Sequence, residues 1–457
     1  MDGGRKKNAV AIHQEVAREV QTLLQVVFTA QRKGGTDLEA IESATRASVL
    51  RAGTAVLTGV LAKHDAHPPR VDCRGCGAEA RYHDHRTKRL FTAVGRVDLE
   101  RPYYICPQCH QGQSPRDREL DVAGTECSPG LRRMMALVAS DSSFEKGREQ
   151  LEVLAGLKVT SKSIERHAQA IGADIAARDA KDICRAKQLQ LPEVCAPAVP
   201  VLYIEMDGTG IPVVKAETEG RAGKTEGLPA HTREVKIGCV FTQTHTDKEG
   251  RPVRDEASTT YVAAVEPAEP FGLRLYTEAW NRGWTSAKKK VVIADGAVWI
   301  WNLADQHFPG AIQIVDLYHA RQHLYDLAPP LFANDSRNRK RWIAKCLSLL
   351  DKGKIEALVK LLRQIQPQDS ELARTMNKEA EYFDRNKERM RYPAFRAQGL
   401  FVGSGVIEAG CKTVIGRRLK QSGMFWTVRG ANTIIALRCS LLSRRFEDYW
   451  ESRLLAA

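Results

Sequence analysis

The chain has 457 residues, more than a single hydrophobic core usually serves, so we expect about two to four domains. Its 43% hydrophobic and 27% charged residues are ordinary for a globular protein and exclude a mainly disordered chain. The 69 Lys and Arg residues outnumber the 55 Asp and Glu residues, which gives a formal charge of +14. This excess favours a polyanionic partner without identifying it.

The amino end and the hydropathy bear on localisation. The opening MDGGRKKNAV is polar and leads into a charged amphipathic stretch, not into an apolar signal segment. No run approaches the ~18 apolar residues that a membrane span requires. We therefore expect a cytoplasmic protein without a membrane partner. In that compartment the 11 cysteines serve as metal ligands or buried apolar side chains rather than in disulfides.

Residues 1–66 are predicted to form an N-terminal helical region, because apolar residues recur at helix spacing between residues 8 and 60. The recurring residues are Val16, Val20, Leu23, Leu24, Val27 and Phe28. Such a stripe must be buried, either within the chain or against a second protomer.

Two C-x-x-C motifs, separated by 29 residues, dominate the predicted zinc ribbon at residues 67–120. One C-x-x-C turn directs two thiolates at a metal, and two such turns complete the four-sulfur shell that structural zinc prefers. Alternating apolar residues on both sides of Gly95 suit the strands of a ribbon. The predicted Zn²⁺ ligands are Cys73, Cys76, Cys106 and Cys109, and His83, His85 and His110 are spare candidates.

Residues 121–183 are predicted to be a helical, helix-turn-helix DNA-binding region. A capping-box pattern, Ser142-x-x-Glu145, opens a helix that ends at Gly156, and a second helix runs from about Lys162 to Ile171. Candidate DNA contacts are Arg148, Lys162, Arg166 and His167. Any helical hairpin in a core gives a similar pattern, so both interpretations stay open. The proline-bearing residues 184–200, with Cys184 and Cys195, resemble a linker.

Residues 201–457 change to an alternation of strands and helices. Strands are predicted at 201–206, 235–242, 259–265, 290–294 and 311–315, with helices near 271–280 and 298–303. This order is that of the ribonuclease H-like fold, in which the first and fourth strands lie side by side. Asp207 and Asp295 follow those two strands, so both carboxylates would reach the same sheet edge.

A third carboxylate, Glu408, lies on a later predicted helix. Carboxylates are the hard oxygen ligands that Mg²⁺ or Mn²⁺ prefers. Two such ions about 3.5–4 Å apart activate a water and stabilise the leaving oxygen when a phosphodiester is cut. Taken singly, an Asp after a strand is more often a turn or cap residue than a ligand. Three acids in this order favour an active site with two metal ions.

Five strings in this part of the chain resemble those of the ISKra-type bacterial insertion-sequence transposases, which are similar to the Mutator-like DDE transposases. The strings are Met206–Pro212, Thr232–Lys236, Ala294–Ala297, Val315–Ala320 and Gly403–Glu408. The resemblance covers about residues 70 to 445. It implies that Asp207, Asp295 and Glu408 form the DDE triad. It also implies that Asp316 and His319 occupy an accessory motif beside the active site.

The resemblance further implies an all-α insertion in the catalytic core, at about residues 328–398, and a bacterial, nucleoid-associated protein. Basic strings in the insertion and after Glu408 are candidate DNA contacts, although a solvated helical face or ordinary packing explains them equally. These candidates are Arg339, Lys340, Arg341, Arg417, Arg418, Lys420, Trp426 and Arg429, with the cations Arg337 and Arg385–Arg391 and the aromatic Phe425 nearby.

The function implied is that of a DNA transposase that binds terminal inverted repeats, cuts them and joins them to target DNA. Paired ends would require a homodimer or a higher homo-oligomer. The alternatives are a ribonuclease H-like nuclease that cuts without joining, and a domesticated DNA-binding regulator that keeps the fold without the chemistry.

Overall fold

A computed structural model describes residues 10–22, 24–25, 37–62, 67–194, 197–223, 228–333, 335–365 and 367–455. The chain divides into two compact units, Met1–Ala168 with Trp450–Ala457 and Gln169–Tyr449. We call them the ribbon unit and the sheet unit. Leu23, Val27 and Phe28 of the predicted N-terminal stripe, and Cys195 of the predicted linker, lie outside the described residues.

The ribbon unit is built on a four-stranded antiparallel sheet in the order β1-β2-β3-β4. Its strands are β1 (Arg70–Asp72), β2 (Glu79–Phe91), β3 (Arg96–Ile105) and β4 (Gly112–Gln113). The β2–β3 turn ends at Gly95, whose φ is 145°. A Cβ at Gly95 would lie 2.5 Å from Thr54 Oγ1 in helix α1 (Leu38–Leu61), so this close approach requires glycine.

The other helices of the ribbon unit correct the predicted helix boundaries. They are α2 (Pro115–Glu119), α3 (Pro129–Asp141), α4 (Phe144–Ala155) and the start of α5 (Ser161–Lys187). Ser143, not Ser142, caps α4, since its side chain accepts from the Lys146 N–H. Gly156 ends α4 with a φ of 68°, as predicted. Helix α5 is longer than the predicted helix and continues to Lys187, inside the predicted linker.

The sheet unit contains a mixed five-stranded sheet in the order β11-β10-β5-β6-β9. The strands are β5 (Val201–Pro212), β6 (Thr232–Gln243), β9 (Thr260–Ala264), β10 (Lys289–Ala294) and β11 (Ile312–Val315), and a separate pair is β7 (His245–Thr246) with β8 (Pro252–Val253). Strands β11, β10 and β5 are parallel, while β6 and β9 pair antiparallel. The first and fourth strands of the main sheet are therefore neighbours, as the sequence predicts.

Helices cover this sheet. They are α6 (Ala268–Asn281), α7 (Val298–His307), α8 (Leu317–Leu331), α13 (Gly405–Gly410), α14 (Arg417–Leu419) and α15 (Val428–Leu442). A last helix, α16 (Phe446–Leu455), follows α15 along the chain. Helix α6 packs directly on β6, because a Cβ at Gly238 would lie 2.7 Å from Leu275. Between α13 and α14, residues Cys411–Gly416 form a π-helix, so the three segments make one helical rod.

The described residues between α8 and α13, where the all-α insertion is predicted, are mainly helical, and we call this segment the insertion. It contains α9 (Ser336–Asp351), α10 (Ile355–Gln364), α11 (Ser370–Arg385) and α12 (Tyr392–Ala397). Buried Leu350, Ile355, Leu358 and Phe383 form part of its core. No helix among the described residues is both long enough and apolar enough to span a membrane.

Candidate functional site

The four cysteines of the ribbon unit lie together at the ends of two similar turns. Their sulfur atoms are all within 4.8 Å of one another, with Cys73 Sγ 3.4 Å from Cys109 Sγ and Cys76 Sγ 3.6 Å from Cys106 Sγ. In each turn the first cysteine carbonyl accepts a main-chain hydrogen bond from the residue four positions later. Those residues, Gly77 and His110, both have positive φ.

The donor set fits a structural metal such as zinc. Four thiolates at this spacing can form a tetrahedral shell, which is the usual structural zinc site. Main-chain N–H groups of Cys109 and Gln108 lower the pKa of Cys106 to about 6, which favours the thiolate that a metal binds. The spare candidates His83, His85 and His110 are exposed and do not belong to this cluster.

Asp207 and Asp295 come together through strand register. Strand β10 pairs with β5 up to Ile293 opposite Glu205, so two residues farther along each strand Asp295 reaches the level of Asp207. Asp207 lies within β5, opposite Ile237 of β6, and not in a turn as predicted from the sequence. Asp295 directly follows the end of β10. Both carboxyl groups are partly buried.

The helix that carries Glu408 packs against the same strand. Its residue Cys411 places Sγ 3.2 Å from Asp207 Oδ2, and its Ile407 N–H donates to Glu205 Oε2 at 2.8 Å. Glu408 itself is exposed. These two contacts hold the residues on either side of Glu408 against β5.

The carboxyl group of Asp207 has a perturbed pKa, mainly because it is buried. Burial raises the pKa of Asp207, and the nearby Asp295 raises it further, while hydrogen bonds from Cys411 and Gly208 lower it. Among the described residues, the three carboxylates are not drawn together as tightly as the four thiols of the ribbon unit. Ligands that surround two ions are necessarily spread more widely than ligands of one ion.

Asp316 has a different environment from the other acids. It is 1% exposed and caps α8, since Oδ1 accepts from the His319 N–H at 2.8 Å. Its Oδ2 accepts from the Ser404 N–H at 2.5 Å and from the Ser404 hydroxyl. With these donors occupying both oxygens, Asp316 ties the start of α8 to the turn that precedes Glu408.

Glu205 is a buried acid of this site that sequence reasoning missed. It is 0% exposed, and its Oε1 has no hydrogen-bond partner among the described residues. Burial raises the pKa of Glu205 to about 8, so the carboxyl group is largely protonated at neutral pH. An available signal was its spacing, because Glu205 interrupts an apolar strand two residues before Asp207 and therefore points to the same face.

The insertion also contacts the main chain directly after β10, and the sequence did not predict this contact. Tyr382 of α11 donates its hydroxyl to the Asp295 carbonyl at 2.9 Å and stacks on His323 at 4.2 Å. His323 Nδ1 lies 2.7 Å from Glu379 Oε2, and its Nε2 lies 3.2 Å from His319 Nε2. His319, on the exposed side of α8, is near enough to Asp207 to lower its pKa.

The candidate DNA contacts of the helix-turn-helix region differ in availability. Arg148 forms ion pairs with three glutamates of its own helix, and Lys162 pairs with Glu165. Arg166 is exposed. His167 is only 6% exposed, and burial lowers its pKa to about 4, so the prediction that it faces DNA is wrong in this structure.

Two candidates after Glu408 are corrected by burial. Arg418 is 0% exposed and lies over the Trp426 ring, while Trp426 is 5% exposed and donates Nε1–H to the Leu419 carbonyl. Both residues are part of the core and not of a DNA-stacking surface. Other candidates stay at the surface: Arg417, Lys420, Phe425, Arg429, Lys340 and Arg341 are exposed, and Arg339 is half-buried.

The comparisons with known proteins add little to this geometry. No family model and no curated protein sequence matches the chain. Among solved structures, the chain is similar to the Drosophila P element transposase strand transfer complex, with 8% sequence identity and a TM-score of 0.24. The match covers 70% of this chain and 79% of that chain. A similarity of this size does not define a common fold.

The purified protein should carry about one zinc per chain, because two C-x-x-C turns complete one four-sulfur shell. Cys106→Ser should lose the zinc and lower the melting temperature of the ribbon unit. Exposed Cys184, outside the cluster, supplies the matched control Cys184→Ser, which should keep the metal. Metal analysis decides the matter, and a Cys106→Ser protein with undiminished zinc contradicts the assignment.

The buried proton on Glu205 should make stability depend on pH. The pKa of Glu205 is raised from 4.5 to about 8, so the folded protein keeps a proton that the unfolded chain releases between these values. Folding therefore loses up to ~1.4 kcal/mol per pH unit as the pH rises through this window. Glu205→Gln keeps an acceptor for the Ile407 N–H without the titration, so its free energy of unfolding should fall less.

Denaturant titrations of both proteins between pH ~4.5 and ~8 measure this difference. Glu205→Leu, which removes the acceptor, should be destabilised throughout, because a buried N–H loses its partner. Exposed Glu219→Gln is the control and should follow the wild-type curve. Parallel curves for the wild type and Glu205→Gln would exclude Glu205 as the group that holds the proton.

Proposed function

We propose that this protein is a DNA transposase with a ribonuclease H-like catalytic core. The sheet order β11-β10-β5-β6-β9, with three parallel strands followed by two antiparallel ones, supports that core. The order corresponds to strands five, four, one, two and three along the chain, which is the order expected for the ribonuclease H-like fold.

The observation that carries the proposal is the β5–β10 register, which brings Asp207 and Asp295 level at one edge of the sheet. The helical rod that carries Glu408 is bonded to β5 at Glu205, two residues before this level, and at Asp207 itself. Cys411 contacts Asp207, and Ile407 contacts Glu205. Acids gathered against their mutual repulsion are typical of a site for cations.

The donor chemistry fits Mg²⁺ or Mn²⁺, because carboxylate oxygens are hard ligands. Two divalent ions bound there would supply an activated water and would stabilise the leaving oxygen. Asp207, Asp295 and Glu408 would hold and orient them. Cleavage would release a 3′-hydroxyl at each transposon end, and attack of that hydroxyl on target DNA would follow without a covalent enzyme intermediate.

DNA binding is proposed to reside in the ribbon unit and in exposed cations of the sheet unit. The net charge of +14 suits a phosphate partner. In the insertion, Lys340 and Arg341 are exposed in the first turns of α9. The second basic string is less available, because Arg391 pairs with Glu356 and Glu388. Terminal inverted repeats and target DNA are the proposed partners, bound by a homodimer or larger assembly.

Asp207→Asn, Asp295→Asn and Glu408→Gln should each abolish both end cleavage and strand transfer, because the two steps share one set of ligands. An amide keeps the shape of the side chain but removes the charge that holds Mg²⁺. Binding to the ends should change little. The assay incubates DNA carrying the element's terminal repeats with Mg²⁺, resolves nicked and joined products, and measures binding by gel shift.

Glu249→Gln, at an exposed acid outside the site, is the matched control and should react normally. Asp316→Asn should lower rates without complete loss, since Asp316 positions the Glu408 turn. A dead Asp316→Asn beside an active Asp295→Asn would reassign the second ligand. Cleavage without joining would indicate a nuclease, and binding without either reaction would indicate a DNA-binding regulator.

Affinity for DNA should fall steeply with salt, because contacts to many phosphates release condensed counterions. Charge reversal at Arg339, Lys340 and Arg341 should reduce the slope of log affinity against log salt if the insertion contacts DNA. Fluorescence anisotropy between ~50 and ~200 mM salt measures this slope. Charge reversal at Arg363 is the control, since this residue already pairs with Asp384. A flat salt dependence of the wild type would argue against a broad phosphate footprint.

A further inference from the structure

The helical rod that carries Glu408 contains one π turn, and this turn has a partner. The Arg417 N–H, which in an α-helix would donate to the Thr413 carbonyl, donates instead to the Lys412 carbonyl. Arg438 of α15 takes the vacated place, because its Nη2 donates to Thr413 O and its Nε donates to Val414 O at 2.6 Å. Arg438 is only 4% exposed, so its guanidinium charge is buried against these carbonyls.

The π turn determines which side chains share a face of the rod. Lys420 lies twelve residues after Glu408, and in a regular α-helix this separation would place them roughly 120° apart around the axis. A π turn contains one residue more than an α-helical turn. The residues after it are therefore rotated back around the helix axis by about 100°, and the two side chains are about 20° apart. Glu408 and Lys420 therefore project from the same face.

A contact with β5 bears this out. Lys420 Nζ donates to Thr209 Oγ1 at 2.5 Å, and Thr209 is two residues beyond Asp207 on the same face of the strand. The rod thus meets the strand at three levels, through Ile407 with Glu205, Cys411 with Asp207 and Lys420 with Thr209. The ammonium group of Lys420 thus contacts the residue two positions beyond Asp207, a proposed metal ligand.

We propose that Lys420 binds a DNA phosphate next to the reacting phosphate. We also propose that Arg438 is the positioning residue that, through the π turn, holds Lys420 beside Thr209. This rests on the proposed transposase function. The first half of the rod is fixed by Glu205 and Asp316, so Arg438 governs the second half without moving Glu408. Lysine cannot replace Arg438, because the planar guanidinium donates to two carbonyls at once.

The first experiment needs no DNA. An amine-acetylating reagent and mass spectrometry compare the labelling rate of Lys420 with that of exposed Lys412 in the same rod. Lys420 should be labelled several-fold more slowly in the wild type, and Arg438→Lys should remove the difference. Arg444→Lys, at an exposed arginine just after α15, should preserve it. Unchanged protection of Lys420 in a folded Arg438→Lys protein overturns the positioning role.

The second experiment is a double-mutant cycle on strand transfer. Lys420→Met should lower the rate by up to about 10²-fold, since the loss of one electrostatic contact at a reacting centre itself has about this size. Arg438→Lys should lower it comparably but should add little in the Lys420→Met background, because both changes remove one interaction. Additive losses overturn the coupling. A wild type without strand transfer defeats the proposed function alone, since the labelling experiment still decides whether Arg438 holds Lys420.

Discussion

Two buried carboxyl groups hold the turn on which the proposed active site depends. Glu205 accepts the Ile407 N–H, and Asp316 accepts the N–H and hydroxyl of Ser404, so both ends of a four-residue segment are fixed directly before Glu408. The free-energy cost of burying these two carboxyl groups is reduced in different ways. Asp316 is surrounded by donors, whereas Glu205 takes up a proton. Without such anchors, an acid separated from the sheet by a long insertion would not keep its position.

A few specific contacts also fix the position of the insertion. Residues between α8 and α13 could move as a separate lobe, but Tyr382 bonds the Asp295 carbonyl, and Glu379 and His323 join α11 to α8. Gly296, with a φ of 95°, makes this possible, because a Cβ there would lie 2.7 Å from the Tyr382 ring. The insertion is therefore hydrogen-bonded to the backbone of one proposed ligand, so a change in the insertion would alter the position of Asp295.

Sequence periodicity was sufficient to predict the five strands of the main sheet, although Asp207 lies within β5 and not after it. Periodicity could not distinguish Asp295, a proposed metal ligand, from Asp316, because both follow apolar strands. The structure distinguishes them, since only Asp316 is buried and accepts hydrogen bonds from Ser404. Burial of basic and aromatic residues was equally hidden. Arg418 and Trp426 lie in a polar-looking string, yet both are buried and pack on one another.

A π turn leaves main-chain carbonyls without their regular donors, so it persists only where another group supplies the hydrogen bonds. Arg438 supplies them from a neighbouring helix, and its charge would be expensive to bury if those carbonyls were already satisfied. The guanidinium and the irregular turn thus stabilise each other. A regular helix would make Arg438 unnecessary, but it would also carry Lys420 away from Thr209.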